Sequence, residues 1–288
     1  MRSTPLPSLP IFAPNAEITH RLQFAIEQHE LLGPLKDPSP GSPFAEDAVI
    51  EELEQSRLIA SANLGAALES IIGAKRLWDD LDSQLHMVSV LPTLLRTALL
   101  CYVRATWVMI PESSAERVGR TATLHMQDMQ ETDAMMKDAE QNPEMVEALL
   151  GDVTAQFRED REKFDALYKE VKARRSRVGY KDNPTDTAKI REVSHYLFPH
   201  NSESVTRGGL LSAWRVGSGH AHGLSWARRR SHDEIGRNGR IVTAVLKPNS
   251  DDLRLMANVV AMLAFRVLPL YESRRMRPGE GRAFGVSP

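Results

Sequence analysis

The stretch WRVGSGHAHG, residues 214–223, gathers an arginine, a serine and two histidines around glycines at 217, 219 and 223. A guanidinium is permanently charged and grips two phosphate oxygens at once. A histidine exchanges a proton near neutral pH. On a helix, Arg215 and His222 stand seven residues apart and share a face, with Ser218 between them. His220 points well round the helix unless Gly217 and Gly219 loosen the turn. Such a pair could cleave RNA without a metal. One group would activate the ribose 2′-hydroxyl while Arg215 neutralises charge on the pentacoordinate phosphate. Two such helices facing each other in a dimer would bring two histidines to one cleft.

The run ARRRSHDEIGRNGR, 227–240, follows directly. Arg228, Arg229, Arg230, Arg237 and Arg240 would form a phosphate-tracking rim, with Trp226 as a stacking platform. The plainer reading is a solvated loop and hairpin tip. His220 and His222, with His232 and Asp233 downstream, suggest metal ligands, but on a helix the two rings diverge by about 200°, so no metal is expected. There is no Walker loop, Gly-x-Gly-x-x-Gly, serine-triad motif or zinc-knuckle spacing. Dinucleotide and P-loop chemistry are thereby set aside, and no cofactor is expected.

The same stretch has a packing reading. Gly217, Gly219, Ala221 and Gly223 alternate along the chain and would let another helix approach closely. His220 and His222 would then bond to backbone or to a carboxylate. The chain would be a non-catalytic helical interaction protein with a protein partner. The two readings demand different exposure: a ribonuclease needs Arg215 and His222 open beside the basic run, whereas the packing reading buries both.

Arg215 followed by His220 or His222 resembles the R-x4–6-H motif of HEPN-type helical proteins. The layout is similar too, with long helices over roughly residues 46–275 and the motif near the start of the last helical portion. LLRTALLCYVRATWVM around Arg96, with SGHAHG downstream, looks like a group of bacterial helical proteins distantly allied to HEPN domains. The resemblance implies a metal-independent ribonuclease or RNA-binding protein, acting as a dimer in toxin–antitoxin or antiphage systems, with an antitoxin as partner. Arg215, His220 and His222 would be catalytic, and Ser218 and Arg96 supporting. Val216 stands where the motif usually has a polar residue, and Leu100 where the allied group has the glutamate of Arg-x3-Glu.

The elements that must hold these residues are helical. Of 288 residues, 42% are hydrophobic, 26% charged and 6% aromatic, so the core rests on aliphatic residues, which favours helices over a sandwich. Residues 171–288 carry 21 Lys/Arg against 10 Asp/Glu, leaving 15 against 28 in the remainder. That polarity either offers a positive face to a phosphate ligand or pairs the two halves within the fold. The single cysteine, Cys101, sits in an apolar run and reads as a buried hydrophobe. No signal peptide is evident, and arginines interrupt the apolar stretches 91–110 and 255–271. A cytoplasmic protein off the membrane is expected.

The chain divides into residues 1–45, a proline-rich arm with a short helix over 16–33 and a linker over 33–44; 46–275, a helical domain; and 276–288, a flexible tail. Apolar spacing predicts one long helix from Glu46 to about Leu85 and a nearly all-apolar central one over 92–110. Ser113 and Glu116 have capping-box spacing ahead of a third helix. Further helices follow over about 143–175, TDTAKIREVSHYL, 202–227 (capped by Ser202 or Ser204) and 251–274. Asn238-Gly239 before a β-branched run predicts a small hairpin near 235–246. The fold class is all-α, a multi-helix bundle.

Overall fold

The computed structural model describes residues 18–33, 36–51, 54–80, 89–142, 144, 154–238, 241–246 and 249–279. The proline-rich stretch 1–17, the tail 280–288, Leu85 and Pro143 lie outside the described residues. The fold is an all-α bundle. Its helices are α1 (Ile18–Leu32), α2 (Pro43–Glu51), α3 (Gln55–Asp79), α4 (Val90–Met109), α5 (Ser114–Gln141), α6 (Thr154–Arg177), α7 (Asp186–Leu197), α8 (Ser204–Ala221), α9 (Ser225–Arg229) and α10 (Ser250–Arg275). A 3-10 turn, Asn201–Glu203, leads into α8. Between α9 and α10, the strands His232–Asn238 and Ile241–Leu246 pair antiparallel, with an irregularity between Glu234 and Gly236.

Helix α4 is central because it is apolar nearly all round, with Thr93, Thr97 and Arg104 left half-buried. Leu95, Ala98, Leu99, Tyr102, Val103, Trp107 and Val108 are all buried, and it packs against α3, α10, α8, α7 and α5. By length and composition one helix among the described residues, α10, could cross a membrane, but 61% of its apolar window is buried in the bundle. Arg266 within it reaches Glu203 at 3.7 Å. Helix α6 packs on α5 through a separate small core of Ala122, Met129 and Val171. Its charges form a solvated network in which Arg161 meets Asp133 at 2.9 Å and Asp165 at 3.3 Å.

The single helix expected from Glu46 to Leu85 is two. The Glu51 carboxylate turns back on the chain, accepting from Ser56 N at 3.0 Å and Ser56 Oγ at 2.6 Å. That bond satisfies a first-turn amide of α3, so a new helix starts there. The segment expected as a linker is docked: Ser39 N donates to the Arg275 carbonyl at 2.9 Å, and Phe44 packs on Tyr271. The expected capping box at Ser113 does not form. Ser113 has no side-chain cap, and Glu116 binds Arg120 at 2.7 Å instead, a charge-assisted bond that wins over a backbone amide. Nor does Ser202 or Ser204 cap α8, whose N-cap is Glu203 without a side-chain bond. Thr185 and Asn249 do cap α7 and α10. Cys101 is half-buried, and burial pushes its thiol up, away from nucleophilic character.

Candidate functional site at the end of helix α8

The three glycines of 214–223 have three separate jobs. Gly217 faces the core, where a Cβ would meet Arg96 Cβ at 2.5 Å, Met256 Cε at 2.7 Å and the Pro92 carbonyl at 3.0 Å. It lets α8 settle onto α4 and α10, as the packing reading of this residue requires. Gly223, at φ +65°, ends the helix. The Leu224 amide donates to the Gly219 carbonyl at 2.8 Å and the Gly223 amide to the His220 carbonyl at 3.1 Å. These are the two bonds of a Schellman stop, which needs a left-handed residue at that position. Gly219 underlies α9, and a Cβ there would meet Trp226 Cζ2 at 2.5 Å and Ala227 Cβ at 2.9 Å.

The side chains divide by face. Leu210, Ala213, Val216, Gly217 and His220 point inward, whereas Ser212, Arg215 and His222 are exposed and Ser218 is half-buried between them. His222 is the C-cap, so the helical spacing from Arg215 is kept to its end, about 10 Å along the axis. Arg228 and Arg229 are exposed on α9 immediately after the turn. Trp226 remains 38% exposed.

Three expected members occupy other roles. His220 is 3% exposed, and its Nδ1 has no hydrogen-bond partner among the described residues. Burial lowers its pKa, with Asp252 opposing that and Arg230 adding to it. It is a core histidine closed to a substrate arriving from solvent, because the inward face of α8 carries it. Arg230 is not a free rim cation. Its Nε donates to Asp252 Oδ2 at 2.8 Å and its Nη2 to Oδ1 at 2.5 Å, while Asn249 Nδ2 holds its carbonyl at 2.9 Å. Arg96 is half-buried on α4 under Gly217, and its Nε is buried without a hydrogen bond to any described residue. Arg240 and the side chains of Arg237, His232 and Asp233 lie outside the described residues. Among the described residues no group of three or more His, Cys, Asp or Glu is arranged to hold a metal. His220 is buried and His222 exposed, so the two do not converge on one site.

Sequence reasoning missed Asp252. The partner of Arg230 lies 22 residues on, and no local pattern announces it. Gly219 does what its packing reading expected, since the short helix α9 closes directly on it. No family model, curated protein or solved structure matches the chain.

Proposed function

We propose that the end of α8 binds RNA and cleaves it without a metal. The supporting observation is the joint exposure of Arg215 and His222 on one face of α8, beside the exposed cations Arg228 and Arg229. An interaction protein using this stretch only for packing would bury both Arg215 and His222.

In this reading Arg215 forks onto two non-bridging oxygens of a phosphodiester and stabilises the added charge of the pentacoordinate state. His222 accepts the proton of the ribose 2′-hydroxyl, and the 2′-oxygen attacks phosphorus. The P–O5′ bond breaks, leaving a 2′,3′-cyclic phosphate and a 5′-oxygen. That oxygen takes its proton from water, or from His222 of a second copy in a homodimer. Arg228 and Arg229 track the neighbouring phosphates. His220 takes no part in the proton transfer, and Arg230 contributes through its pairing with Asp252, which fixes α9 to the start of α10.

Anisotropy of a fluorescein-labelled RNA, titrated at stepped salt, tests the binding half. Arg215→Ala, Arg228→Ala and Arg229→Ala should each weaken binding and lower the salt slope, by about 0.7 per lost contact on a single strand. A salt-independent affinity indifferent to all three substitutions would contradict it.

A further inference from the structure

The indole of Trp226 occupies a particular place along α8. It seats its six-membered edge over Gly219, where a Cβ would come within 2.5 Å of Cζ2 and 2.9 Å of Cη2. Gly219 lies about 6 Å along the axis past Arg215 and about 4.5 Å before His222, turned about 40° from the arginine. The aromatic ring thus stands beside the open strip between the phosphate-holding and the proton-exchanging residue. Trp226 is 38% exposed and its neighbour Leu224 45% exposed. A tryptophan seated by its six-membered edge and 38% exposed stands on α9 with the exposed cations Arg228 and Arg229 just after it in the chain.

Resting on the phosphate-binding reading above, we propose that this site selects single-stranded RNA and stacks one unpaired base on Trp226, between Arg215 and His222. In an A-form duplex the base faces are already stacked within the helix and only phosphates, sugars and edges are offered. A single strand offers the faces themselves, which stack on aromatic side chains with little regard to sequence. The charge of the rim suits the backbone on either side of that base. Gly219 belongs to the device: a Cβ there would meet the indole and Ala227 Cβ, so a side chain at this position lifts α9, and the indole with it, from its seat.

The test compares a short single-stranded oligoribonucleotide with the same sequence in a duplex, by anisotropy, against wild type, Trp226→Leu, Trp226→Phe, Gly219→Ala and Arg215→Ala. The proposal expects Trp226→Leu and Gly219→Ala to weaken single-strand binding about tenfold. Trp226→Phe, which keeps a ring, should bind close to wild type, and duplex binding should be unaffected by changes at Trp226. It is overturned if Trp226→Leu leaves single-strand affinity unchanged, or lowers single-strand and duplex affinity equally. If both RNAs bind alike and respond to Arg215→Ala but not to Trp226→Leu, the stack falls and the phosphate reading stands. If wild type binds neither RNA, both fall.

Discussion

Gly217 of α8 rests against Arg96 of α4 so closely that an added Cβ would lie 2.5 Å from Arg96 Cβ. This contact, with the Pro92 carbonyl and Met256 beside it, sets how deeply α8 sits in the bundle and hence which of its faces stays open. Gly217→Ala should therefore overpack the junction and cost about 1–3 kcal/mol. Gly208, earlier on the same helix, has no described residue within 4 Å of where its Cβ would be. Gly208→Ala should stabilise by about 0.5–1 kcal/mol. Urea midpoints of the two variants check this, and a shift in the same direction for both would contradict it.

The Arg117–Asp47 pair is the polar joint between α5 and α2. Both are fully buried. Arg117 donates to Asp47 Oδ2 at 2.8 Å and Oδ1 at 2.7 Å, and to the carbonyls of Pro111, Glu112 and Pro43. Arg117→Met strands a buried carboxylate and three carbonyls, and should cost about 3–5 kcal/mol. Arg161→Gln, in the solvated network on α6, should cost under about 1 kcal/mol. Denaturant unfolding of the two variants should separate them clearly; equal losses would refute this distinction.

A buried carboxyl and a half-buried histidine should oppose each other in the pH dependence of stability. Burial pushes the Glu51 carboxyl up from 4.5 to about 7, against the bonds donated by Ser56. Folded Glu51 keeps its proton where the unfolded chain releases it. Its contribution is therefore complete at low pH and is lost as pH rises from 4.5 to about 7. His29, its Nε2 2.6 Å from Tyr102 Oη, is lowered by burial from 6.5 to about 4. It stays neutral when folded, so its contribution is complete above 6.5 and is lost as pH falls towards 4. Each is on the order of 3 kcal/mol. His125 and His220, also lowered by burial, add to the histidine side, and Asp47, raised by burial, to the carboxyl side.

It follows that, relative to wild type, Glu51→Gln should lose more stability on acidification from 6.5 to 4.5, and His29→Gln less. Unfolding midpoints across this range, for wild type and both variants, read the slopes. Parallel profiles in all three would show that neither group titrates as its burial demands.

The helices legible in the sequence were those whose burial is symmetrical or whose caps are local. Helix α4 announces itself through Leu95, Leu99, Tyr102, Val103 and Trp107, which leave little of it polar, and α7 lies within the expected helix TDTAKIREVSHYL, with Thr185 as its cap. The break after Glu51 was hidden because the apolar spacing runs on through Leu58 and Leu64, while the group that starts α3 belongs to the helix before it. Ser113 and Glu116 had the spacing of a cap, but Arg120 lies one turn beyond Glu116 and takes its carboxylate. At the site, the seven-residue spacing of Arg215 and His222 was enough to place them on one face. Which of the two histidines is open depended on α4 and α10 closing over the inward side. The pairing of Arg230 with Asp252 depended on α10 as well, and nothing within 227–240 encodes it.

The most direct test of the central claim is cleavage of a mixed RNA pool by purified protein in EDTA, beside Arg215→Ala and His222→Ala variants shown by circular dichroism to be folded. Cleavage that persists in EDTA and disappears in both folded variants is the predicted result. No cleavage by wild type, or cleavage unchanged in the variants, would contradict it and leave 214–223 as the stretch that packs and ends α8.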